Sequence, residues 1–163
     1  MNGTLLIVED QENDVLFLTH AFKKAGILNP TQVVEDGQQA IDYLSGAGQY
    51  ANRRAFPLPA MIFLDLKLPQ VHGLDVLQWI RQQTNLPPMV VVVWTSSSLD
   101  EDIARAYRLG ANSYVVKPSS MEKLIEIVKD FANWWFKHNE PPPRWAQPLP
   151  SIAVGFSHEE EPG

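Results

Sequence analysis

Cysteine is absent from this 163-residue chain, which excludes disulfides, thiolate nucleophiles and cysteine zinc sites. The four histidines, His20, His72, His138 and His158, are scattered without the spacing of metal ligands. No apolar run reaches the roughly 18 residues that a membrane helix needs. Excess positive charge is also missing. The net charge is −6, so no broad basic field exists to hold nucleic acid. The opening Met1-Asn2-Gly3-Thr4 has no charged stretch ahead of a long apolar one, so no secretory signal is expected. These absences lead to the expectation of a cytoplasmic protein with no membrane or nucleic-acid partner. With 45% apolar residues the chain can build an ordinary globular core.

What is present is organised around Met61-Ile62-Phe63-Leu64-Asp65. A parallel strand covered on both faces reads as an unbroken apolar run, and this one is unbroken until its closing carboxylate. Leu5-Leu6-Ile7-Val8 ends likewise in Glu9-Asp10, Met89 to Trp94 ends in Thr95, and Ser113 to Val116 ends in Lys117-Pro118. Between these runs, apolar residues recur at helical spacing. Val15, Leu18 and Phe22 mark helix one, Ala40, Ile41 and Leu44 helix two, and Leu74, Leu77 and Ile80 helix three. Helix four is expected near 99–109 and helix five near 119–137, while 49–59 reads as an irregular loop.

Five strand–helix alternations predict a parallel sheet with helices on both faces. Right-handed crossovers then bring Glu9, Asp10, Asp65, Thr95 and Lys117 to one edge, where ligands of such sheets bind. Taken alone, Glu9-Asp10 has two readings, as ligands for a hard divalent cation or as acids at a helix start. Asp65 alone could be a metal ligand, a nucleophile or a cap.

In this order and at these strand ends, Glu9-Asp10, Asp65 in LDLKLP, Gly73, Thr95 in VVWTS, Tyr114 and Lys117-Pro118 resemble the receiver domain of two-component response regulators. The resemblance covers about residues 4–137. It implies a flavodoxin-like sheet of order 2-1-3-4-5, with residues 1–139 as receiver and 140–163 as a proline-rich, acidic tail of irregular structure. Asp65 is then the expected phosphoacceptor. Mg²⁺, or Mn²⁺ in its place, would be held by Glu9, Asp10, Asp65 and the backbone carbonyl of Lys67. Thr95 and Lys117 would bind the phosphoryl oxygens, Tyr114 would be the aromatic switch, and Pro118 would follow a cis bond. Trp94, beside Thr95, is expected in the core.

The stretches Val34-Glu35-Asp36-Gly37 and Gly48-Gln49-Tyr50-Ala51, with aromatic residues closing helix five, resemble the small stand-alone regulators of bacterial and cyanobacterial phytochromes. A sensor histidine kinase of that type is the implied donor, with Phe17 and Ala21 as candidate contacts. Ile127 and Trp134, off the main stripe of helix five, suggest a homodimer through helix four, strand five and helix five. Trp145 or Phe156 of the tail could instead cover them. The expected protein is a signalling switch that assists its own phosphorylation, not an enzyme acting on others. An aspartate phosphatase would want an acid where Lys67 stands. A flavodoxin would want a phosphate loop where Glu9-Asp10 stands. A receiver-like scaffold that never takes phosphate is disfavoured by the complete set of Asp10, Asp65, Thr95 and Lys117.

Overall fold

The computed structural model describes residues 3–140; the proline-rich segment beyond Glu140, with Trp145 and Phe156, lies outside the described residues. Five strands, β1 (Thr4–Val8), β2 (Thr31–Val34), β3 (Pro59–Leu64), β4 (Val90–Thr95) and β5 (Ser113–Val116), alternate with five helices. The helices are α1 (Glu12–Lys24), α2 (Gly37–Ser45), α3 (Gly73–Gln82), α4 (Asp100–Arg108) and α5 (Met121–Ala132). All strand pairs are parallel, in the order β2-β1-β3-β4-β5.

Strand side chains point alternately to opposite faces, so each unbroken apolar run serves two cores. Leu6, Val8, Ile62, Leu64 and Val91 face α2 and α3, meeting Ala40, Leu44, Val76, Leu77 and Ile80. Leu5, Ile7, Met61, Phe63, Val92 and Trp94 face α1 and α5, meeting Leu18, Phe22, Leu124 and Val128. A third cluster joins Leu66, Leu74, Val93 and Ala106 beneath α4.

Trp94 is buried as expected, edge-on to Phe63 at a centroid distance of 6.4 Å. Ala21 is a correction. It is fully buried against the α1–α5 core and offers no surface to a kinase, whereas Phe17 is half exposed. Helical periodicity adds Ala21 to the stripe of Leu18 and Phe22, and its small side chain hid that in the sequence.

The loop expected to be irregular is a folded cap. Gly48–Ala51 forms a 3-10 turn, and Tyr50 and Phe56 pack on Tyr43. Arg53 donates to the carbonyls of Tyr43 at 2.6 Å and Leu44 at 2.7 Å, supplying both hydrogen bonds and a cation at the α2 C-terminus. Beyond α5 the helix widens into a π-type turn over Asn133–His138, extending the helical stretch as the sequence suggested. No described helix is long and apolar enough to cross a membrane.

The Tyr43 hydroxyl donates to the Pro57 carbonyl at 2.8 Å, with the side chain fully buried. Tyr43→Phe leaves that carbonyl unpaired and should lower the unfolding free energy by about 1–2 kcal/mol. Urea denaturation followed by far-UV circular dichroism reads the change.

Candidate functional site

The sheet ladder runs one residue past three strands and carries the site with it. The Glu9 N–H donates to Val34 O at 3.0 Å, the Asp65 N–H to Val8 O at 3.0 Å, and the Lys117 N–H to Thr95 O at 2.8 Å. The first polar residue after each apolar run is thereby held in register at one edge. Lys117 Nζ lies 2.5 Å from Glu9 Oε2, 2.7 Å from Asp14 Oδ2 and 2.8 Å from Asp65 Oδ2. Glu9 and Asp65 are buried, at 2% and 5% exposure, so neither could stay ionised here without such a partner.

The second oxygen of each carboxylate is also engaged. Asp65 Oδ1 accepts the backbone N–H of Leu66 at 2.6 Å and of Lys67 at 3.3 Å. Glu9 Oε1 accepts the Gln11 N–H at 3.1 Å. Burial pushes the Asp65 carboxyl up, but the Lys117 ammonium, the Thr95 hydroxyl and the Lys67 N–H together hold it below the usual carboxylate range. At Glu9 burial wins over Lys117 and the carboxyl is raised, with the nearby Asp65 charge adding to it. Burial would lower Lys117, yet the hydrogen bonds it donates to Asp14, Asp65 and Glu9 outweigh it, so the ammonium stays protonated.

Glu9, Asp10 and Asp65 each offer a carboxylate oxygen, all within 4.8 Å of one another. Three carboxylates, Glu9, Asp14 and Asp65, share the single ammonium and Asp10 lies beside them, leaving an excess of negative charge. Hard oxygen donors with excess negative charge suit Mg²⁺ or Mn²⁺. The expected set therefore fits a divalent cation.

Thr95 is fully buried at the end of β4. Tyr114 is half-buried beside Val93 and Ala106, and its hydroxyl donates to Ser97 O at 3.0 Å. Trp94 points to the opposite face of the sheet, away from α4, so its bulk does not crowd this region. The Lys117–Pro118 bond is not cis; no cis peptide occurs among the described residues. Trans is the lower-energy form even before proline, and the Lys117 ammonium reaches its three acids without the cis form. Ile127 is half-buried against the α1–α5 core, while Trp134 is 62% exposed.

Three contributors were not singled out from sequence. Asp14, in the first turn of α1, lay outside the expected set, yet it is the third carboxylate on Lys117. Its position one helical turn after Asp10 was the available signal. Ser97 and Asp102 bond to each other at 2.5 Å, and nothing in their spacing marks that contact. Gly73, one of the motif residues, sits where two stretches of backbone meet closely. A Cβ there would stand 2.0 Å from the Asp65 carbonyl oxygen and 2.7 Å from Leu66 Cα. Gly37 packs as tightly, its missing Cβ falling 2.0 Å from the Val71 carbonyl oxygen.

A parallel sheet of order β2-β1-β3-β4-β5 with an acidic cluster and a lysine meeting at one edge defines a doubly wound class of α/β protein. Residues 5–129 match the response regulator receiver domain, and the chain belongs to that family. It is 36% identical over 141 residues to the probable methanogenesis regulatory protein FilR2 of Methanothrix harundinacea (strain 6Ac), covering 85% of this chain and 86% of that one. To the response regulator Rcp1 of Synechocystis sp. it is 32% identical over 133 residues, covering 82% and 88%. The solved Mn²⁺-bound form of Rcp1 superposes with a TM-score of 0.78 at 30% identity, over 86% of this chain and 99% of that one. The phosphorylated cyanobacterial phytochrome response regulator RcpA superposes with a TM-score of 0.79 at 31% identity, over 88% and 100%.

Adding a methyl at Gly73 forces the Asp65 backbone to move. Gly73→Ala should cost about 2–3 kcal/mol of stability. It should also broaden or shift the Asp65 and Leu66 amide resonances in a ¹H–¹⁵N spectrum.

Proposed function

We propose that this chain is a phosphorylation switch of the cytoplasm that takes a phosphoryl group from a sensor histidine kinase onto Asp65. The observation that carries this reading is Lys117 Nζ at 2.8 Å from Asp65 Oδ2, at the sheet edge where the fully buried Thr95 closes β4. An Asp65 carboxylate oxygen forms the bond to phosphorus as the bond to the donor's imidazole nitrogen breaks. The depressed ionisation of Asp65 keeps it nucleophilic through the neutral range. Lys117 and the Thr95 hydroxyl are placed to take the charge that develops on the phosphoryl oxygens. Glu9, Asp10, Asp65 and the Lys67 carbonyl would hold Mg²⁺, which neutralises further charge on the transferring group.

The acyl phosphate offers new acceptors to Thr95. A shift of Thr95 toward them couples to Tyr114 through the β4–α4 loop and biases a two-state equilibrium. A phytochrome-type kinase is the donor favoured by the resemblance to RcpA. Phe17, half exposed on α1 beside the small recess that Asp14, Lys117 and Pro118 line, is a contact for it.

Incubation with Mg²⁺ and acetyl phosphate should add one acid-stable, base-labile phosphoryl group, read by intact mass. Chelation should abolish it, and so should Asp65→Asn. Labelling that persists in Asp65→Asn reassigns the acceptor, and no labelling of the parent chain returns it to the scaffold class.

The same chain is proposed to pair with a second copy through α4, β5 and α5. Leu99, Tyr107 and Val116 are exposed on α4 and β5, and Trp134 follows α5. Ile127, half-buried, would contribute only its outer edge. Trp134→Glu should weaken self-association at least tenfold by sedimentation; an unchanged profile removes that end of the helix from the interface.

A further inference from the structure

Helix α4 is the least anchored of the five. Its one buried residue is Ala106, whereas α3 buries Gly73, Leu74, Val76, Leu77 and Ile80. Its N-cap residue, Leu99, offers no side-chain acceptor to the first turn. The Arg105–Asp75 pair at 3.9 Å is solvent-exposed and worth little. The first turn is tied down from outside the helix, by Ser97.

Ser97 is 4% exposed and every polar atom it has is engaged. Its hydroxyl donates to Asp102 Oδ2 at 2.5 Å and accepts the Leu99 N–H at 3.4 Å. Its N–H donates to the Thr95 hydroxyl oxygen at 3.4 Å, and its carbonyl accepts the Tyr114 hydroxyl at 3.0 Å. One residue thus touches the end of β4, the first turn of α4 and the aromatic side chain of β5. The arrangement is a displaced capping box, in which a serine before the helix and an acid in its first turn bind each other instead of each other's backbone.

We propose that the Ser97–Asp102 hydrogen bond is a latch that fixes the first turn of α4 and, by setting the Ser97 carbonyl, holds the Tyr114 ring inward in the unmodified protein. Ser97 and Asp102 are positioning residues for Tyr114, and neither is hydrogen-bonded to Asp65. The chain then rests with its aromatic side chain already biased toward one of the two states, so phosphorylation shifts a smaller population than it would without the latch. Only this last consequence rests on Asp65 being the acceptor; the latch belongs to the unmodified chain.

The test is ¹⁹F NMR of the full chain labelled with 3-fluorotyrosine. Four tyrosines give four resonances, and Tyr114→Phe assigns the relevant one. Ser97→Ala and Asp102→Asn should each move the Tyr114 resonance toward that of free fluorotyrosine. The double variant should move it no further, and Ser97→Thr, which keeps the hydroxyl, should stay near the parent. Amide exchange in the first turn of α4 should rise at least tenfold in both single variants. An unmoved Tyr114 resonance overturns the proposal, including where urea midpoints fall, since that is the result of a merely structural bond. Shifts that add in the double variant overturn it too. If either single variant fails to fold, the comparison of Ser97→Thr with Asp102→Glu decides, because the latch requires these two to differ. Asp65→Asn should keep the latch shifts while losing acetyl phosphate labelling, so the two readings fail on separate signals.

Discussion

One ammonium group holds the working edge of this molecule together. Lys117 reaches Glu9, Asp14 and Asp65, which lie 108, 103 and 52 residues away along the chain. Buried carboxylates this close repel one another, and without a cation among them at least one would take a proton or turn to solvent. Removing one member of such a buried set is costly because the other charges stay behind. The same contact is structural and chemical at once. It joins the ends of β1, β3 and β5 to the first turn of α1, and it fixes a positive charge beside the Asp65 carboxylate, as the proposed phosphoryl transfer requires.

The sheet makes this contact possible by parity. Because successive side chains alternate, Val93 and Thr95 face α3 and α4 while Val92 and Trp94 face α1 and α5. A bulky tryptophan next to a small buried threonine is therefore compatible with movement on the α4 side. The packing of the two faces differs too. On one, α1 and α5 are stapled by aromatic contacts, with Phe63 in contact with Phe22 and Phe131. On the other, α4 rests on one alanine and a pair of hydrogen-bonded side chains. Few buried apolar contacts mean a low cost of local opening, so α4 is where this fold can change shape.

The β3–α3 loop is the opposite case. Gly37 and Gly73 let two neighbouring backbones close on it, the Gly37 N–H donates to Pro69 O at 3.3 Å, and the Gly73 N–H donates to Leu66 O at 2.9 Å. Gln70 is held at φ 64°, the only non-glycine residue among those described with positive φ. A rigid loop on the acceptor side and a loosely held helix on the other suit a site that must keep its carboxylate still while passing a small movement outward.

Periodicity and punctuation were enough to locate all five strands and helices, because unbroken β-branched runs and 3.6-residue stripes report burial directly. The polar residue that stops each run was equally legible, and it marked Glu9, Asp65, Thr95 and Lys117. Contacts between segments with no shared period were not legible. Asp14, Ser97 and Asp102 carried no mark of their contacts, Ala21 looked like a candidate kinase contact, and 49–59 looked like an irregular loop. The cis bond implied at Pro118 was absent for a related reason, since local chemistry permits either isomer and the surrounding structure selects one. The amino-acid order thus determined which face of each element is buried and which residues close the strands. Only the folded chain decided which of those closing residues touch, because distances between them depend on strand register, loop packing and the balance of buried charge that no single segment contains.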